Sequence, residues 1–281
     1  MCGMMASDSE RRRVARPYRR ESDVPQPVKE AVNAWIATAA AGVRPPPSPS
    51  EGPIWALVLE SRNLLTVKAL RAADCGVTDA TTVVPNPDPE ELAAIAAAAP
   101  ELVALPLSSH GLFAALASPS SPERELLLQR GWSGRLGVVW LDFCGTFGAS
   151  ARAGRQRQHD LEQLFSQKLL LPAAAVLAVT FTTRGASELY RGELLESLVL
   201  LAEGYALRYG QRARLSGAAS YCSHSRGGNP TVFTALFVVG DGSSAPSFSP
   251  PPPTTMAEPE CALECASTLP EEPRALVALT S

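Results

Sequence analysis

The chain has 281 residues, a net charge of -3 and 46% hydrophobic residues. That content allows a sizeable buried core, and the slight acidity removes any global electrostatic case for nucleic acid, where a strongly basic domain is the usual footprint. No apolar run reaches the 18 or more residues that a membrane-spanning helix needs, and the longest, over residues 169–181, contains Pro172.

Residues 1–51 read as a disordered, basic and Pro-rich tail. Arg11, Arg12, Arg13, Arg16, Arg19 and Arg20 cluster there. Asp8, Glu10, Glu21 and Asp23 interrupt them, a pattern unlike an organelle transit peptide. One helix fits residues 28–41, ahead of Pro45-Pro46-Pro47. Deleting residues 1–50 is expected to leave the melting temperature nearly unchanged, because tails of low hydrophobicity bury little.

Residues 52–240 carry the expected folded domain. A strand over 54–60 is followed by a helix over 64–73, and a strand over 80–84 by a helix that starts at Asp88. Asp88 suits the cap, Pro89 the first helical position, and Glu90 and Glu91 the positive end of the helix dipole. A short strand over 102–105 precedes helical segments at 110–117 and 122–130. The apolar run Val138-Val139-Trp140-Leu141 then ends at Asp142. A basic loop holding Arg152, Arg155, Arg157 and His159 leads to a helix over 160–169. A strand over 174–181 and a long helix over 188–209 follow. Two last strands, over 214–222 and 231–239, flank a Gly-rich segment with His224 and Arg226, which predicts an antiparallel hairpin. Residues 241–281 read as a second disordered tail rich in Pro, Ser and Glu.

Six cysteines are scattered along the chain, and no apolar leader precedes them. A reduced, intracellular protein of the cytoplasm or nucleus is the expectation. Cys261 and Cys265 lack the further ligands that a closed zinc site needs, so no metal is expected.

Strands that alternate with helices and end in a hairpin describe an α/β fold. The expected form is a doubly wound, mostly parallel seven-stranded sheet with a C-terminal antiparallel hairpin and helices on both faces. In such sheets ligands bind outside the carboxyl ends of the strands. The polar residues there are Glu60-Ser61-Arg62-Asn63 after the first strand and Asn86 and Asp88 after the second. Leu105 closes the third, Asp142-Phe143 the fourth, and Thr183-Arg184 the fifth. No G-x-G-x-x-G occurs, which disfavours a dinucleotide cradle.

The element order and these strand-end residues resemble the class I S-adenosylmethionine-dependent methyltransferase family over most of residues 52–240. The pattern Asp142-x-x-Gly145-Thr146 is similar to that of tRNA guanine-N2 methyltransferases. The resemblance implies S-adenosylmethionine as cofactor, held by Glu60, Ser61, Asn63, Asn86, Leu105 and Asp142. It places Asp142, Phe143 and Arg184 beside the methyl acceptor. An exocyclic amine of an RNA or DNA base is the acceptor it implies, with Asp142 as orienting group. The sequence departs from the family in two places. Ser61-Arg62-Asn63 stands where the family has glycines, and no prolines follow Asp142. Those departures leave a second reading open, a methyltransferase-like scaffold or partner-binding module. Oligomeric state is not legible.

Overall fold

The computed structural model describes residues 26–43, 52–143, 145, 147, 152–182, 188–222, 231–241 and 264–265. Arg184, the segment between the last two strands and the Arg11–Arg20 cluster lie outside the described residues. The elements are α1 (Gln26–Val43), β1 (Ile54–Val58), α2 (Leu65–Ala72), β2 (Val77–Pro85), α3 (Pro89–Ala98), β3 (Val103–Leu105), α4 (Ser109–Ala117), α5 (Pro122–Gln129), β4 (Val138–Asp142), α6 (Arg152–Ser166), β5 (Ala175–Thr182), α7 (Glu188–Arg208), β6 (Arg212–Cys222), β7 (Thr231–Gly240) and β8 (Glu264–Cys265).

One sheet holds them together, in the order β3-β2-β1-β4-β5-β7-β6-β8. The first five strands run parallel. β7 runs antiparallel to both β5 and β6, so the fold is the expected α/β sheet with a terminal hairpin. β8 adds two antiparallel residues at the edge of β6.

The strands are apolar on both sides, and period-2 alternation sorts their side chains between two cores. Trp55, Leu57, Val139, Leu141, Leu177, Val179 and Phe237 face the layer of α4, α5, α6 and α7. Ile54, Ala56, Val58, Trp140, Val176, Ala178 and Leu236 face α1, α2 and α3. Two buried threonines interrupt the second face. Trp140 Nε1 donates to Thr180 Oγ1 at 2.9 Å, and Thr180 and Thr234 share a hydroxyl contact of 2.8 Å. This thread ties β4, β5 and β7, and it satisfies three polar groups that burial would otherwise penalise. No described helix is long and apolar enough to cross a membrane.

Two expectations need correction. Residues 26–43 are not part of a tail. α1 buries Val28, Val32, Trp35, Ile36, Ala39, Ala40 and Val43, the stripe of an amphipathic helix that docks on a core. Its Trp35 indole lies where a Cβ on Gly217 would sit, at 2.9 Å, so the glycine in the irregular middle of β6 makes room for it. The basic stretch from Arg152 to His159 is not a loop either. It forms the first turns of α6.

Ile36 is 1% exposed. Ile36→Ala should therefore cost about 2–5 kcal/mol in urea unfolding, as buried large-to-small changes do. Truncation past residue 43 should lower the melting temperature sharply, against the expectation drawn from composition. An unchanged midpoint for Ile36→Ala would show that α1 is not docked in solution.

Candidate functional site

The chain leaves β1 towards β2 and β3 on one side, then returns to place β4 on the other. The carboxyl ends of β1 and β4 therefore flank the point where the sheet order reverses, and connections that depart in opposite directions leave a crevice there. Pairing continues just beyond β1, where Leu59 N donates to Trp140 O at 3.1 Å. Glu60 and Asp142 thus come to the two lips of one crevice.

Asp142 ends β4 and is exposed, and none of the described residues donates a hydrogen bond to it. Its carboxyl is nevertheless pushed up to about 6, first by burial and next by the charge of Glu60, against the opposing pull of Lys29 from α1. A carboxylate at the lip of a crevice has water on one side and protein on the others, so it is both open and poorly solvated. Water on the open side keeps the energetic consequence modest.

Glu60 is half-buried and has a defined structural job. Its Oε2 accepts from Thr66 N at 2.8 Å and Val67 N at 3.3 Å, and its Oε1 accepts from Ser61 N at 3.1 Å. The first pair satisfies N–H groups at the open start of α2. Burial raises the Glu60 carboxyl and these hydrogen bonds oppose the rise. Leu64 caps α2 with φ 51, a left-handed conformation that favours glycine. Its side chain, 4% exposed, is held in the core beside α1 and α2.

The remaining strand-end residues brace one another. Asn86 Nδ2 donates to Glu60 O at 3.2 Å, and Asn86 Oδ1 accepts from Asp88 N at 2.9 Å. Asp88 caps α3 as expected, through Glu90 N and Glu91 N. Leu105 is buried, and its carbonyl accepts from Asn86 N at 3.0 Å and Leu107 N at 2.8 Å. Ser61 and Asn63 are exposed at the turn, and Asn63 O accepts from Lys68 Nζ at 2.8 Å. The structure thus brings Glu60, Ser61, Asn86 and Asp142 to one end of the sheet. Phe143 is buried instead of facing an acceptor, with the Arg157 guanidinium 5.7 Å from its ring centre.

Two features, the Arg62–Glu91 pair and Lys29, escape the sequence, while Arg157 belongs to the basic stretch that the sequence places after Asp142. Arg62 reaches from the β1–α2 turn to Glu91 in the first turn of α3. Its Nε donates to Glu91 Oε1 at 2.9 Å and its backbone N to Oε2 at 3.2 Å, and an ion pair joins the same groups. That pairing raises Arg62 and lowers Glu91. Arg157 lies on the Asp142 loop, over Phe143 and against Gly145, where a Cβ would meet its guanidinium at 2.5 Å. Lys29 enters from α1. The one available signal was Glu91, since a first-turn acid can take a neighbouring loop's arginine as well as complement the helix dipole. Among the described residues no group of three or more His, Cys, Asp or Glu is arranged to hold a metal ion.

A carboxyl raised in the folded state keeps a proton that the unfolded chain releases, so stability falls as pH rises from about 4 through about 6. Asp142→Asn removes that term. The variant should melt higher than the parent at pH 7.5 and close to it at pH 4.5. Equal shifts at both pH values would show that Asp142 is not held in a poorly solvated cleft.

No family model matches the sequence, and no curated protein matches it. Solved structures do. A Pyrococcus horikoshii protein provisionally assigned as an RNA methyltransferase aligns at TM-score 0.42 and 13% identity, over 76% of this chain and 83% of that one. The N-methyltransferase NodS of Bradyrhizobium japonicum aligns at 0.40 and 8%, over 76% and 98%. TYW2 of Pyrococcus horikoshii, in complex with MeSAdo, aligns at 0.39 and 12%, over 74% and 62%. At these scores the likenesses carry no argument about activity. The strand order itself, five parallel strands as 3-2-1-4-5 followed by the antiparallel 7-6 hairpin, is the α/β architecture with a C-terminal antiparallel hairpin that the sequence predicts.

Proposed function

We propose that this protein binds S-adenosylmethionine across the crevice between β1 and β4 and methylates a nitrogen nucleophile, an exocyclic amine of a nucleic-acid base. The observation that carries the reading is the pair of carboxylates, Glu60 and Asp142, on the two lips of the switch-point crevice. Two acids with no glycine-rich phosphate cradle suit a ligand that carries positive charge and no phosphate. The residues present therefore fit this cofactor in charge.

S-adenosylmethionine supplies an electrophilic methyl group on a sulfonium. The protein's part is to align the acceptor nitrogen with that methyl and to receive the N–H that points away from it. Asp142 is the group placed for this. Its carboxylate accepts no hydrogen bond from the described residues, and with a carboxyl near 6 it is ionised at neutral pH and close enough in pKa to exchange a proton. Glu60, Asn86 and the α2 turn form the cofactor side, with Glu60 acting through its charge because its oxygens are already engaged at α2.

The Arg62–Glu91 pair favours the second reading, a scaffold. It closes the gap between the turns after β1 and β2, where an adenosine would lie, and would have to open or sit beside the ligand. Isothermal titration with S-adenosylmethionine and S-adenosylhomocysteine separates the two. Under the enzyme reading both bind, Asp142→Asn keeps affinity within a few-fold, and turnover falls roughly 10²-fold. Turnover in the parent should rise as pH passes about 6. Absence of binding by the folded protein at millimolar ligand would leave the scaffold.

A further inference from the structure

A recess of about 410 Å³ opens at the end of the sheet opposite Asp142. Arg124 of α5, the segment Trp132 to Arg135 that leads into β4, and Leu116 and Leu169 form its walls. Seven residues of chain lead from Arg135 to Asp142, about 20 Å when extended, so the recess is separate from the crevice. Its volume is in the range of small-molecule sites.

The chemistry of its walls is one-sided. Two arginines line it and no Asp or Glu does among the described residues, in a chain whose net charge is -3. Gly134 has φ 85. The backbone N–H groups of Ser133, Gly134 and Arg135 enter no hydrogen bond among the described residues. Consecutive free amides around a left-handed residue make a concave anion-binding surface.

The walls are also fixed in advance. Arg124 Nη1 donates to Leu116 O at 2.6 Å, which holds the guanidinium at the end of α4. Trp132 Nε1 donates to Arg135 O at 3.0 Å, which pins the turn through the backbone of Arg135. Gln167, itself in the wall, donates from Nε2 to Phe113 O at 2.9 Å. Donors that are positioned before a ligand arrives lose little freedom on binding it.

We propose that this recess binds a small organic anion. Its phosphate or carboxylate is held by Arg124 and Arg135, and its apolar part lies against Leu116 and Leu169. The site does not depend on the methyltransferase reading.

Isothermal titration at low ionic strength with inorganic phosphate, phenyl phosphate and benzoate tests it. Phenyl phosphate should bind saturably and more tightly than inorganic phosphate, and its comparison with benzoate tells which acid group is preferred. Arg135→Gln should weaken phenyl phosphate by about ten-fold or more, the loss expected for a charge-assisted hydrogen bond. It should keep the parent's melting temperature, because the structural contact at residue 135 is a backbone carbonyl. Asp142→Asn should leave this binding unchanged. Absence of saturable binding by any of the three, or equal binding by folded Arg135→Gln, would overturn the proposal.

Discussion

β1 and β4 lie side by side although α2, β2, α3, β3, α4 and α5 intervene in sequence, and the site follows from that adjacency. Their ladder pairs Ala56, Leu57 and Val58 with Val138, Val139 and Trp140. Both strands are buried on their two faces, so they must sit at the centre of the sheet with helices on either side. A chain that builds outward from β1 to β3 and then returns to β4 has to send the connections after β1 and β4 in opposite directions. The crevice is the space they leave. Acids placed there cannot be fully hydrated, which is why both Glu60 and Asp142 hold their protons more tightly than free carboxyls. The Trp140–Thr180–Thr234 thread then fixes β4 against its other neighbours, so the lip that carries Asp142 has a rigid support.

The turn after β1 shows how side chains can do what glycines do elsewhere. Glycine lets a strand turn sharply into a helix and leaves the first helical amides open to a ligand. Here Leu64 takes the left-handed position, and burial of its side chain offsets the conformational cost. Glu60 covers the helix amides from within the protein. Asn86 and the Arg62–Glu91 pair then tie this turn to the one after β2. The result is a braced turn whose first helix amides are already taken by Glu60, where an open turn would offer them to a ligand.

The strands and their order were legible because buried parallel strands read as continuous apolar runs between helical patterns. Val138–Asp142 and the Asp88 cap lie where the residues predicted. The polar end of the fold was harder. Asn86 and Glu60 were recognisable as strand-end polar groups, but whether such a group faces a ligand or braces a neighbouring loop depends on contacts between segments far apart in sequence. Asn86 meets the Glu60 carbonyl across 26 positions and Arg62 meets Glu91 across 29. No local pattern encodes those distances. Phe143 illustrates the same limit, since an aromatic after an acid suggests a substrate platform, while a distant arginine decides that its face is covered.

Composition sets residues 26–43 apart from the fold, but the core includes them. Val28, Val32, Trp35, Ile36, Ala39 and Val43 already spelled a helix with one apolar face. A helix with that face needs a surface to cover, and the sheet face of Ala56, Trp140, Ala178 and Leu236 needs a cover. The two requirements meet in α1, which is why Gly217 leaves space for Trp35. The same docking brings Lys29 close enough to Asp142 to oppose the rise of its carboxyl. Without Lys29 the Asp142 carboxyl would lose the one cation that opposes its rise. The segment that looked most expendable by composition is therefore part of the core and part of the electrostatic setting of the crevice at once.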